Sequence, residues 1–284
     1  MTGFLRVVRI TLFFQVIILF SISSFPQPKE KTKVAITIDD LPFSSYRMLT
    51  LTEKNFIYDQ LITAFEKNKI TSLCFVIGNT FKPTDAPFLK RIAASGQLLG
   101  NHTFSHYDYN TVAFEKYTKD IEKCFDLLAP YDIQKKFFRF PYLAEGNSKE
   151  KVESIYSFFN KNQITPVPVT IFCSDVKFSK DFERAYSKND KKEMDRIADE
   201  YLADLKKNTK IGLDLARTQT RKNPGHILLF HINLLSAYTI NGLISMCKEM
   251  NMEFVHIDEV LKEDVYNKPP KYFGGAGYTF FERF

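Results

Sequence analysis

Val34-Ala35-Ile36-Thr37-Ile38-Asp39-Asp40-Leu41-Pro42 is the stretch from which the fold is read. The apolar run Val34 to Ile38 predicts a strand, and two adjacent carboxylates followed by a proline end it. A helix is expected next. Asn55 to Asn68 places Ile57, Leu61, Ile62 and Phe65 on one face. Ser72 to Ile77 is a second strand, stopped by Gly78, and Phe88 to Ala94 a helix stopped by Gly96. The same alternation continues. Gln97 to Gly100, Lys136 to Arg139, Val167 to Phe172, Ile227 to Phe230 and Phe254 to His256 are the later strands. Phe114 to Leu128, Val152 to Asn160, Phe182 to Lys207 (one helix or two) and Ile240 to Met250 are the helices between them. Strands alternating with helices predict an α/β fold with a parallel sheet and helices outside it. Seven strands in one series suit a closed or nearly closed barrel, whose chemistry sits at the carboxyl ends of its strands.

Composition narrows the classes. Of 284 residues, 44% are hydrophobic and 25% charged, which suits a packed globular chain and argues against disorder. The net charge of +6 is mild, and no Lys/Arg tract stands out, so nucleic-acid binding gains no support. Cys74, Cys124, Cys173 and Cys247 are far apart with no CxxC spacing, which removes a structural zinc knuckle and favours buried free thiols.

The first 25 residues differ from the rest. Arg6 and Arg9 precede the apolar run Ile10 to Phe20, and Ser21, Ser23, Ser24 and Pro26 follow. This is the order of a secretory signal peptide. The run is short for a bilayer span of about 20 apolar residues, although Phe4 to Phe25 counted whole would serve as one anchor. Residues 1–25 are therefore expected to be a signal peptide or membrane anchor, and residues 30–284 one catalytic domain. The destination is outside the cytoplasm: periplasm, cell envelope or medium.

The residues that can carry chemistry follow the expected strands. Asp39 and Asp40 end the first, and where the chain turns both can reach one site. His102 and His106 follow the third in Gly100-Asn101-His102-Thr103-Phe104-Ser105-His106. Two imidazoles four residues apart can meet one ion if the segment is helical or tightly turned. No Glu lies between them, so this is not the metalloprotease HExxH pattern. Two of the chain's five histidines in so short a space favour metal binding over two unrelated rings. Arg139, in Phe138-Arg139-Phe140-Pro141-Tyr142, could pair with a carboxylate. His231 after Leu228-Leu229-Phe230, and Asp175 in Ser174-Asp175, mean little singly.

Taken in this order, Asp39-Asp40, His-x-x-x-His, Arg-x-Pro-Tyr and Leu-x-His resemble the NodB-type polysaccharide deacetylases, carbohydrate esterase family 4. The resemblance spans roughly residues 33 to 260, and Ile232-Asn233 and the tail from Tyr272-Phe273-Gly274-Gly275 to Phe284 resemble a bacterial subgroup. It implies a distorted (β/α) barrel of about seven parallel strands. It also implies hydrolysis of acetyl groups from an N- or O-acetylated sugar polymer. By the family pattern Asp40, His102 and His106 are metal ligands, for zinc or else cobalt, nickel or iron. Asp39 is the general base, positioned by Arg139. The backbone N–H of Tyr142 helps hold the oxyanion. His231 is the general acid, oriented by Asp175. The implied partner is an acetylated glycan, with membrane association through the N-terminal segment if the leader stays.

Two departures stand out. Many members carry Asp-x-x-Asp-Trp where this chain has Phe172-Cys173-Ser174-Asp175-Val176, and Leu143 stands where many have Gly. The rival readings are an enzyme of the same fold acting on a non-polymeric amide, a sugar-binding module without catalysis, and a structural wall protein.

Overall fold

The first strand becomes the centre of the sheet. In the computed structural model, which describes residues 30–131, 133–267 and 271–283, β1 spans Thr32–Leu41 and pairs in parallel with three neighbours. The remaining strands are β2 (Leu73–Val76), β3 (Leu98–Asn101), β4 (Lys136–Phe138), β5 (Ile164–Pro166), β6 (Ile171–Phe172), β7 (His226–His231) and β8 (Met252–Phe254). They lie in the order β5-β4-β3-β2-β1-β7-β6, with β8 paired to the start of β1. The expected parallel barrel is present as a curled sheet whose edge strands, β5 and β6, share no ladder.

The alternation of β1 decides what each side chain meets. Val34, Ile36 and Ile38 pack into the large core that also holds Ile57, Leu61 and Phe65, the expected face of α1 (Leu51–Asn68). Ala35 points the other way and meets Leu73, Phe75, Phe137 and Ile227 inside the barrel. The capping box of Thr50 and Glu53 fixes the start of α1. The other helices are α2 (Ala86–Ala94), α3 (Phe114–Leu128), α4 (Lys149–Asn162), α5 (Asp175–Ser187), α6 (Lys191–Thr220), α7 (Leu234–Glu249) and α8 (Ile257–Leu261). All four cysteines are buried and free.

Three expectations need correction. The single strand Val167–Phe172 is two short ones, Ile164–Pro166 and Ile171–Phe172. Pro166 and Pro168 supply no N–H, so a continuous ladder cannot run through them. Val167 still bonds to Phe138 of β4 and Thr170 to Ile227 of β7, so this linker crosses from one sheet edge to the other. The stretch Phe182–Lys207, expected as one helix or two, is two, but they reach beyond both expected ends: α5 and α6 are divided at Lys188–Asp190, where Asn189 is left-handed and Asp190 caps α6. The last strand ends at Phe254, and His256 instead caps α8. The expected leader, residues 1–25, lies outside the described residues. Among those described, no helix is long and apolar enough to cross a membrane.

Candidate active site

Every residue singled out by type and spacing lies at the carboxyl end of a strand or just beyond it. Asp39 and His231 are partners in the β1–β7 register. Asp40 adopts φ 67°, and the β1–β2 register slips between Ile38 and Leu41. That irregularity brings two consecutive carboxylates to one site, which a regular strand would send to opposite faces.

The His-x-x-x-His segment is not helical. Thr103 and His106 are both left-handed, with φ 60° and 54°, a costly state for a β-branched threonine. Side-chain hydrogen bonds help hold the turn. Asn101 Oδ1 accepts from Thr103 N–H at 2.8 Å, and Asn101 Nδ2 donates to Ile121 of α3 at 2.8 Å. The Asp120 carboxylate accepts from the Ser105 N–H and the Ser105 hydroxyl, both at 2.7 Å. Gly78 lies against the turn so closely that a Cβ there would sit 3.0 Å from the Phe104 Cα.

The result is a cluster of donor atoms. One atom each from Asp40, His102 and His106 lies within 4.8 Å of the others. Asp40 Oδ1 is 3.6 Å from His102 Nε2 and 3.5 Å from His106 Nε2, and this buried oxygen has no hydrogen-bond partner. His102 Nδ1 faces the Arg139 carbonyl at 2.9 Å; a carbonyl only accepts, so Nδ1 carries the proton and Nε2 offers its lone pair. His106 Nδ1 meets the Tyr142 hydroxyl at 3.1 Å. Burial pushes both imidazoles down to about 4, so they are neutral at neutral pH. Burial raises the Asp40 carboxyl, but His231, His102, His106 and the Ser44 hydroxyl outweigh it and hold it below its usual value. Two neutral imidazoles and a carboxylate are a suitable set for a divalent transition metal. Zinc held at about 2.0–2.1 Å in tetrahedral geometry needs donors roughly 3.4 Å apart, close to the spacing found.

Asp39 lies beside this cluster. Its Oδ2 is 3.7 Å from His102 Nε2 and 3.6 Å from Arg139 Nη1, and its buried Oδ1 has no partner. Burial raises its carboxyl to about 6, against the lowering charges of Arg139 and His231. Arg139 is 1% exposed. Its Nη2 donates to Thr37 Oγ1 at 3.0 Å, whose own hydroxyl donates to Leu228 C=O, and its guanidinium sits 4.8 Å from the Phe75 ring centroid. The contact with Asp39 is thus an ion pair without a direct hydrogen bond.

Across the site, Asp175 begins α5 and is wholly buried. Its Oδ1 accepts from His231 Nδ1 at 3.0 Å, and its Oδ2 from the His231 N–H and Asn233 Nδ2. Burial opposes a charge on His231, but Asp175, by charge and hydrogen bond, raises it to about 10.

Tyr142 and Leu143 form a tight turn after β4, with φ 57° and 53°. The left-handed Leu143 explains why a glycine suits this position in other chains. The sequence reading gave Tyr142 only a backbone role, yet its hydroxyl reaches His106. Asn101, Ser105, Asp120, Thr37, Ser44 and Asn233 were also missed. Only the Asn-His step beside a strand end offered a local clue to any of them.

A curled parallel α/β sheet with a carboxylate-and-imidazole cluster at its strand ends is the class that fold and site define. Residues 26–164, just under half of the chain, match the family model described as polysaccharide deacetylase. Among curated proteins it is 30% identical over 121 residues to a chitin deacetylase of Colletotrichum lindemuthianum, covering 39% of this chain and 42% of that one. It is 33% identical over 122 residues to a peptidoglycan-N-acetylglucosamine deacetylase of Bacillus cereus, covering 42% of this chain and 39% of that one. The match thus spans about two fifths of each curated relative. Among solved structures, the fungal chitin deacetylase of Colletotrichum lindemuthianum superposes with TM-score 0.57 at 17% identity, covering 89% and 95% of the two chains. A CE4 family pseudoenzyme from Bacillus anthracis does so with TM-score 0.56 at 18% identity, covering 84% and 67%. These two likenesses establish the fold. That one of them is a pseudoenzyme shows that the barrel alone does not carry activity.

Proposed function

We propose that this protein is a metal-dependent deacetylase acting on an N- or O-acetylated sugar polymer outside the cytoplasm, with residues 1–25 as its export leader or anchor and 30–284 as its catalytic domain. The observation that carries the reading is the convergence of Asp40, His102 and His106 beside Asp39, with the His231–Asp175 pair in the adjoining strand register.

Asp40, His102 and His106 would hold the cation, zinc being the best match to the donors. Bound there, it would polarise the acetyl carbonyl and acidify the attacking water. Asp39 Oδ1 takes the proton of that water as its oxygen bonds to the acetyl carbon. Arg139 keeps Asp39 ionised and in place. The Tyr142 backbone N–H donates to the acetyl oxygen as charge builds on it. When the carbon–nitrogen bond breaks, His231 gives its proton to the departing amine, and Asp175 keeps that proton available. The products are acetate and the free amine of the sugar. An ester follows the same path with an alcohol leaving. The missing Asp and Trp around Asp175 leave Phe172 and Val176 there, both exposed, so the acyl pocket is walled differently from that of many members.

The test is product analysis. The full chain, loaded in turn with zinc, cobalt, nickel or iron(II), is incubated with chitin-like, peptidoglycan-derived and acetylated xylan oligosaccharides. Acetate release and loss of acetyl mass are expected from at least one. The His106→Ala variant is expected to lose both bound metal and turnover. No acetate from any glycan with any metal would overturn the proposal.

A further inference from the structure

The segment Lys271–Arg283 is a loop closed on itself: the N–H groups of Lys271 and Tyr272 donate to the Arg283 carbonyl at 2.8 and 3.3 Å. It is firmly rooted. Phe280 and Phe281 are buried against Ala216, Phe280 N–H donates to Val169, and Arg283 pairs with the buried Glu145 carboxylate, which also accepts from Tyr156.

Its free part touches two of the loops that carry site residues. Gly277 N–H donates to the Tyr142 carbonyl at 2.7 Å, and Asn110, four residues beyond His106, donates to the Gly274 carbonyl at 3.2 Å. Between these contacts run Gly274-Gly275-Ala276-Gly277; the Tyr272 ring stands over Gly274, the Tyr278 ring edge meets Gly275, and the space above Gly277 is open. Tyr272 and Tyr278 flank this stretch, edge to face with centroids 5.2 Å apart, 45% and 37% exposed. Tyr142, 56% exposed, stands at the end nearest His106.

We propose that this shelf is a sugar subsite. The apolar face of a pyranose ring, adjacent in the polymer to the ring being deacetylated, lies over Gly277 against the exposed sides of Tyr272 and Tyr278. This rests on the deacetylase reading and adds where the rest of the polymer goes. The physical case has three parts. Exposed tyrosine rings offer flat apolar area with little entropy to lose on binding. Gly277, with nothing standing over it, lets a flat ring approach the backbone closely. The loop is anchored at its root by buried groups, so its rings are held ready before a ligand arrives. The occupant is a saccharide because the shelf is continuous, through Gly277 and Tyr142, with the site where the acetylated sugar would sit.

The experiment compares N-acetylglucosamine oligomers, a disaccharide and a hexasaccharide, on metal-loaded full-chain protein. Tyr272→Gln and Tyr278→Gln together are expected to raise KM for the hexasaccharide by about tenfold, the effect of losing one good stacking contact. The expected kcat on the hexasaccharide and rate on an activated aryl acetate are unchanged. The Tyr272→Phe, Tyr278→Phe variant keeps both rings and is expected to behave as wild type. An equal effect on both chain lengths, or none on the longer, overturns the subsite. If the Gln variant fails to fold, single Tyr278→Leu and Tyr278→Phe substitutions make the same comparison. If wild type deacetylates no glycan, the deacetylase reading fails. Calorimetric titration with the hexasaccharide then decides the shelf separately: binding lost with the Gln variant supports it, and no binding to wild type, or undiminished binding, overturns it.

Discussion

His231 gives the same carboxylate two hydrogen bonds: its Nδ1–H donates to Asp175 Oδ1 at 3.0 Å and its backbone N–H to Oδ2 at 2.9 Å. The ring is thereby fixed in orientation and tautomer, with Nε2 left for other work. Asp175 offsets the burial that would otherwise discharge the ring and takes it to about 10. Replacing Asp175 with Asn is expected to move the falling limb of the pH–rate profile to lower pH. It should cost about 10²–10⁴-fold in turnover on a sugar amide, with less loss on an aryl acetate, whose leaving group needs no proton. An unshifted limb would speak against His231 as the acid. The stability sign is separate. A histidine raised from 6.5 to about 10 on folding stabilises the fold fully below pH 6.5. That contribution is lost as pH rises through 10.

Asp39 titrates in the opposite sense for activity. Burial lifts it to about 6 and Arg139 pulls it back. A base must be ionised, so turnover is expected to rise through that pH. Arg139→Gln removes the lowering charge and is expected to push the rising limb upward. Asp39→Asn is expected to keep the metal and lose about 10²–10⁴-fold in rate. Metal analysis beside kinetics checks both, and an emptied site in Asp39→Asn would make Asp39 a ligand.

Asp120 touches no expected ligand, yet both of its oxygens hold Ser105, one residue before His106. Asp120→Asn cannot accept both bonds without reorganising. We expect metal affinity to fall by about 10–100-fold, the usual cost of losing support behind a ligand, with the melting temperature of the metal-free protein little changed. Competition against a chromophoric chelator measures the first and calorimetry the second. An unchanged dissociation constant would remove Asp120 from the site.

His226 concerns acid stability. It is buried at the start of β7, its Nδ1 meets Thr170 Oγ1 at 3.1 Å, and its Nε2 has no partner. Burial lowers it to about 3. The unfolded chain takes up a proton near pH 6.5 while the folded chain does not, so stability falls as pH drops from 6.5 towards 3. His226→Gln is expected to flatten that decline in denaturant titrations of metal-loaded protein. The metal-loaded form is needed because His102 and His106, also lowered by burial, add the same slope when metal is absent. Parallel curves for the two proteins would refute it.

Periodic segments were legible. Helix Phe114–Leu128 has both ends where its apolar spacing put them, since one amphipathic face settles its own length. The start of α5 was not legible, because Asp175 and Val176 follow an apolar run and read as a loop. The strand split at Pro166 and Pro168 was visible in the residues and overlooked. In the site, side chains whose type announces chemistry could be picked out and ordered by strand. Asp120, Thr37, Asn101 and Asn233 could not, since their roles arise from contacts across the fold that no local pattern encodes. The turn at His102–His106 shows the same limit. Spacing allowed a helix or a turn, and the Asn101 side chain and the Asp120 carboxylate behind it decide for the turn.

The seam between β5 and β6 bears on how the protein can be handled. A sheet that does not close has two edges, and bare edges recruit other chains. Here they are three and two residues long, and Phe280 N–H takes the carbonyl of Val169 in the linker between them. Shortening the chain before Phe280 would strip that cover and leave a template for intermolecular pairing. Truncated forms are therefore expected to be lost to aggregation first, and a purification tag is safer placed away from the carboxyl terminus.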